Sequence, residues 1–160
     1  MRDNERRLAW IESLIGAKPN LVPRSNVVTV PSDHGPLALP FAFIEEIVPG
    51  SSLRPFAFLP AWFCGTAARG VDLYPVLNLG GAPQARTSIA LVSHDERACG
   101  FRFSGAPQVV DLDAVGTVTN LAEGEIPLPF PLSASKRFEG PAGPTLLLDV
   151  PATLRALCEA

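Results

Sequence analysis

Seventeen prolines and thirteen glycines break this 160-residue chain at short intervals. That punctuation rules out long helices and favours many short strands joined by turns. Residues 26–30 are β-branched and read as a strand. Residues 37–48 read as a second strand region, bent near Pro40 because proline cannot donate to a ladder. Residues 71–79 and 98–103 have strand composition, and 87–93 form a run able to bury both faces. Residues 94–97 are a polar hairpin connection between the last two. Shorter strands are expected at 109–110, 115–121 and 145–150. Within 121–138, prolines stand at 127, 129 and 131, a spacing that forbids a helix and suggests an extended edge or loop. Helices are expected only at the ends. Residues 5–15 follow the capping residue Asn4 and place Leu8, Ile11 and Ile15 on one face. Residues 152–158 follow Asp149 and Pro151, which suit a helix start. The expected class is mainly β, a barrel or sandwich.

Hydrophobic residues make up 47% of the chain, and at this length the core is large enough to fold without disulfides or metal. The length fits one domain, or two small lobes around a common core. Net charge is −3 and there is no basic stripe, so nucleic acid is not an expected partner. No apolar run reaches the roughly 18 residues that span a bilayer, so no direct membrane insertion is expected. Three widely spaced cysteines, Cys64, Cys99 and Cys158, give neither a disulfide framework nor a zinc set. They read as reduced thiols of a cytoplasmic protein, buried as small apolar groups.

The most informative stretch is 39–79. One apolar strand ends in Glu45-Glu46-Ile47-Val48, a proline-broken connection and an expected turn at Gly65 follow, and Arg69-Gly70 leads into the next strand. Arg69 follows small residues and stands between two glycines, where it can offer a rigid fork to a carboxylate or a carbonyl. Phe56, Phe58, Trp62 and Phe63 crowd into one segment, with Trp62 and Phe63 expected to plug the space between sheets. Such a stretch reads as a surface held by another protein.

Reactive chemistry finds less support. Glu45 and Glu46 are adjacent, so on a strand they point to opposite sides and cannot act together without a bulge. Asp111 and Asp113 are too few ligands for calcium. Gly80-Gly81-Ala82-Pro83 lacks the lysine and hydroxyl of a phosphate loop. Cys64 with His34 or His94 would make a cysteine-dependent hydrolase, but both histidines fall in polar turns and Gly65 does not form a nucleophile elbow.

Five patterns in order resemble the CheW-like domain family, the adaptor module of bacterial chemosensory arrays. They are Leu39-Pro40 leading to Glu46-Ile47; Leu59-Pro60 through Gly65; Arg69-Gly70 through Pro75-Val76 to Asn78-Leu79; Gly100 to Phe103; and Leu146 to Val150 with the helix after it. Together they cover residues 26–158. Ala68 and Ser104 depart from the family's usual leucine and aspartate.

The resemblance implies two small five-stranded SH3-like β-barrels sharing a core, in a domain spanning 26–160 after an N-terminal helix and linker at 1–25. It also implies no enzymatic activity and no cofactor. It implies as partners the regulatory domain of a CheA-type histidine kinase and the cytoplasmic tip of a chemoreceptor. Glu46, Ile47, Val48, Arg69 and Gly70 fall in its partner-facing segments. A diverged regulator that binds a single partner, in pilus motility or another chemosensory-like pathway, is the alternative within that family.

Overall fold

The computed structural model describes residues 26–159 apart from residue 123. The helix expected at 5–15 and the linker after it lie outside the described residues. The strands are β1 (Asn26–Val30), β2 (Leu37–Pro40), β3 (Ile44–Pro49), β4 (Leu53–Arg54), β5 (Phe63–Arg69), β6 (Asp72–Gly81), β7 (Thr87–His94), β8 (Arg97–Ser104), β9 (Gln108–Asp111), β10 (Val118–Asn120), β11 (Ala134–Gly140) and β12 (Gly143–Leu148). Helix α1 (Val150–Glu159) follows.

The strands form two six-stranded sheets. The first lobe has the order β10-β11-β12-β2-β1-β9, and the second β3-β7-β8-β6-β5-β4. Each contains a single parallel pair, β12 with β2 and β6 with β8; every other pair is antiparallel. The two-lobed β architecture agrees with expectation, with one short strand more in each sheet than the five anticipated.

Alternation along the strands explains how two small sheets become one body. Val27, Ala38, Val110, Phe138 and Leu147 fill the inside of the first lobe. Ala67, Tyr74, Val76, Ile89 and Leu91 fill the second. The residues between them face the other way. Val28, Val30, Leu37 and Leu39 meet Leu77, Leu79, Ala90, Val92, Phe101 and Phe103 in a joint core between the lobes. Successive side chains on a strand point to opposite faces, so these strands are buried on both. That is why 87–93 is apolar without interruption.

The chain visits the lobes in the order first, second, first. The crossing falls at Pro40, where the expected single strand at 37–48 is in fact two. Proline has no N–H to extend the β2 ladder, a 3-10 turn spans Phe41–Phe43, and β3 starts in the other sheet. Gly65 is also not a turn. It lies inside β5 at a register shift, with φ of +143°, and a Cβ there would collide with the Arg54 carbonyl. Within 121–138 the chain is irregular only as far as Ser133, after which β11 begins.

Trp62 is half-buried against the joint core and stacks near Phe63 at 5.8 Å, as the plug reading expected. Phe56 and Phe58 are instead exposed. The closing helix begins earlier than predicted, at Val150, because Asp149 caps it. Its Oδ1 accepts from the Ala152 N–H at 3.0 Å, and its carbonyl accepts from the Thr153 N–H at 2.9 Å. Pro151 sits in the first turn, where its missing N–H is not needed. Val150 and Leu154 enter the joint core, and α1 packs on β7 and β8 of the second lobe. The helix thus extends from one lobe and clamps the other. A second tie comes from Asp33, whose N–H donates to the Leu79 carbonyl at 2.9 Å while its Oδ1 accepts from the Gly81 N–H at 3.1 Å.

Phe101 is fully buried in the joint core, so Phe101→Ala is expected to lower stability by about 3–5 kcal/mol. Phe58 is fully exposed, and Phe58→Ala is expected to stay within about 0.5 kcal/mol of wild type. Urea denaturation followed by tryptophan fluorescence measures both.

Candidate partner-binding surface

Strand β3 lies at an edge of the second sheet, hydrogen-bonded only to β7. Its pairing slips between Ile44, opposite Val92, and Glu46, opposite Leu91. Glu45 is the extra residue of this β-bulge, which breaks the alternation that would send adjacent side chains apart. Both glutamates therefore reach one cation. Arg69 Nε donates to Glu46 Oε2 at 2.9 Å, and Arg69 Nη1 donates to Glu45 Oε2 at 3.1 Å. The bulge that the sequence reading named as the condition for a joint carboxylate role is present.

Arg69 is the last residue of β5 and pairs with Asp72 across a two-residue hairpin. Gly70 takes the first central position with φ of +63°, and Val71 is not left-handed. This is the pattern of a II′ turn, in which glycine is favoured at the first site. A Cβ at Gly70 would meet nothing, so backbone conformation rather than space asks for glycine.

Two further hydroxyls converge on Glu45. Tyr74 of β6 donates to its Oε2 and Ser93 of β7 to its Oε1. Strand β3 lies at one edge of the sheet and β5 next to the other. The cluster therefore spans the seam where the sheet curls back on itself. The Ser93 hydroxyl, then the Tyr74 hydroxyl, then the Arg69 charge hold the Glu45 carboxyl below the usual carboxylate range, against an opposing push from burial. The bond to Glu45, with burial, moves the Tyr74 phenol up.

An apolar rim surrounds this polar centre. Ile47 is 39% exposed, Leu73 68% and Val71 98%. Of the residues singled out from sequence, Glu46, Arg69 and Gly70 come together and Ile47 joins the rim. Val48 is half-buried and packs against the interior of the second lobe. Glu45 was weighed only on condition of a bulge, and Tyr74, Ser93, Val71 and Leu73 were not anticipated. The bulge recruits Glu45, and β6 and β7 bring in Tyr74 and Ser93. Tyr74 is the chain's one tyrosine, the only advance signal among them.

Cys64 and Cys99 are poorly placed for nucleophilic attack. Cys64 Sγ donates to the Val76 carbonyl at 3.3 Å, and burial pushes its pKa up despite the Arg102 charge. Burial raises Cys99 further. Cys158, expected to be buried, is exposed near the end of α1. His94 is engaged with Asp95 at 3.2 Å and meets Phe43 edge-on at 5.2 Å. Among the described residues no three metal-ligating side chains cluster, and no helix is long and apolar enough to cross a membrane.

Comparison of the sequence with known protein families found no match, and comparison with curated proteins found none. Comparison with solved structures did. The scaffolding protein TtCheW from Thermoanaerobacter tengcongensis superposes with a TM-score of 0.62 over 79% of this chain and 90% of its own. This chain has the CheW-like fold. The two sequences are 12% identical, so the likeness carries the architecture and not the roles of single residues.

Glu45→Gln tests the seam. A carboxyl whose folded pKa is depressed stabilises the fold above its unfolded pKa, and that contribution is lost as pH falls through the folded value. Wild type should therefore melt higher than Glu45→Gln near neutral pH, with the difference closing as pH drops below the carboxylate range. Thermal melts across pH measure this. In a thiol-labelling experiment, Cys158 should react in the native protein, while Cys64 and Cys99 should need denaturant.

Proposed function

We propose that this protein is a non-enzymatic adaptor of a bacterial chemosensory complex. In this reading it couples the regulatory domain of a CheA-type histidine kinase to the cytoplasmic tip of a chemoreceptor by protein–protein contacts alone. The observation that carries the proposal is the extent of the likeness to a CheW scaffolding protein, which takes in both lobes. Exposed Val71 and Leu73 beside the charged cluster also offer apolar area that a partner could cover. About 800 Å² per partner would make a standard interface. The adaptor module is taken as residues 26–160, with 1–25 a separate extension. It works in the cytoplasm and is drawn to membrane-borne receptors through its partners.

Glu46, Ile47 and Gly70 are assigned to the contact surface. Arg69 acts there while also holding the seam, and Val48 is assigned to the same surface although it packs partly on the lobe interior. Arg69 carries both tasks, so its replacement alone would mix binding with folding. Leu73→Asp changes an exposed side chain and separates the two.

The experiment is three-component co-sedimentation with a CheA-type kinase regulatory fragment and a chemoreceptor tip fragment from the same organism. Wild type should bring both fragments into one complex. Leu73→Asp and Arg69→Glu should each weaken one of the two contacts about tenfold, the loss of a single well-placed interface group. Leu73→Asp should keep the wild-type melting temperature. Capture of only one fragment would replace bridging with single-partner regulation, and capture of neither would defeat the adaptor reading.

A further inference from the structure

At the other end of β3 the second lobe opens into a groove of about 630 Å³. Ile47, Val48 and Ser51 line it together with Arg86, Ser88 and Arg102. No acidic side chain lines it. In a chain of net charge −3 this is a local reversal of sign. Neither arginine forms an ion pair among the described residues, where the salt bridges belong to Arg69 and His94. Arg102 has only a long bond, 3.4 Å, to the Asn78 side-chain oxygen.

We infer that this groove binds an acidic segment of a partner protein. Each guanidinium can receive a carboxylate through paired N–H donors. Ile47, partly exposed at the rim, offers an apolar anchor between the charges. A nucleic acid fits less well, because two arginines on an acidic body give no track for a phosphate backbone. The chemistry of the groove holds whether or not the adaptor reading does.

The test is NMR titration of the ¹⁵N-labelled protein with a short, end-blocked peptide repeating Glu-Glu-Val. The same peptide with lysine in place of glutamate, and inorganic phosphate, serve as the other arms. The acidic peptide should shift the amides of Ile47, Val48, Gly50, Ser51 and residues 86–88, and its affinity should fall as salt rises from about 0.05 to 0.3 M. Arg86→Gln with Arg102→Gln should weaken binding about tenfold or more. Arg86→Gln alone, at an exposed position, should weaken it less and keep the wild-type melt.

Four results would overturn the inference. They are no shifts at millimolar peptide, equal shifts with the lysine peptide, binding that survives the double variant, and shifts reproduced by phosphate alone. None of these outcomes bears on co-sedimentation by Leu73→Asp, so failure here and failure of the adaptor reading are distinguishable.

Discussion

Burial of single strands on both faces is the constraint on which this molecule rests. A lone small barrel of short strands encloses few side chains, here five buried apolar residues in each lobe. The larger set, including both buried phenylalanines of β8, lies between the lobes. Apolar burial stabilises roughly in proportion to area removed from water, so neither lobe approaches its full stability without the other. The chain order strengthens the dependence. The first lobe is left, the second is built, and the first is then completed, with α1 returning to pack on the second.

The seam cluster has a different character. It is polar, half-exposed and placed where β3 and β5 meet without ladder hydrogen bonds. Exposed ion pairs contribute little individually. Shared acceptors change that, since one Glu45 carboxylate takes donors from three strands and is thereby fixed in place. A fixed charged centre beside exposed Val71 and Leu73 presents a defined shape, which an independently moving arginine could not. The sequence reading gave Arg69 to a partner; the fold gives it first to Glu45 and Glu46.

Much of the strand pattern was legible because proline and glycine act locally. Pro40 marked a real break, and the polar residues 94–97 marked a real hairpin. What was misread depended on neighbours distant in sequence. Gly65 looks like a turn residue in isolation, yet its role is to let the Arg54 backbone approach within β5. Residues 37–48 read as one bent strand, because nothing local states that the two halves join different sheets. Cys158 was assigned to the interior by residue type, but the helix turns it outward.

Sequence by itself determined the class of structure, the run buried on both faces, and the place of Arg69-Gly70 at the mouth of a strand. These follow from side-chain period and from the missing donor of proline, which are properties of a few consecutive residues. Tertiary structure alone decided that two adjacent glutamates share one arginine, that Tyr74 and Ser93 join them, and that Arg86 and Arg102 line one groove. Those facts depend on strand register and sheet curl. A slip of one residue reverses which face every later side chain occupies, and register is set by packing across the whole sheet.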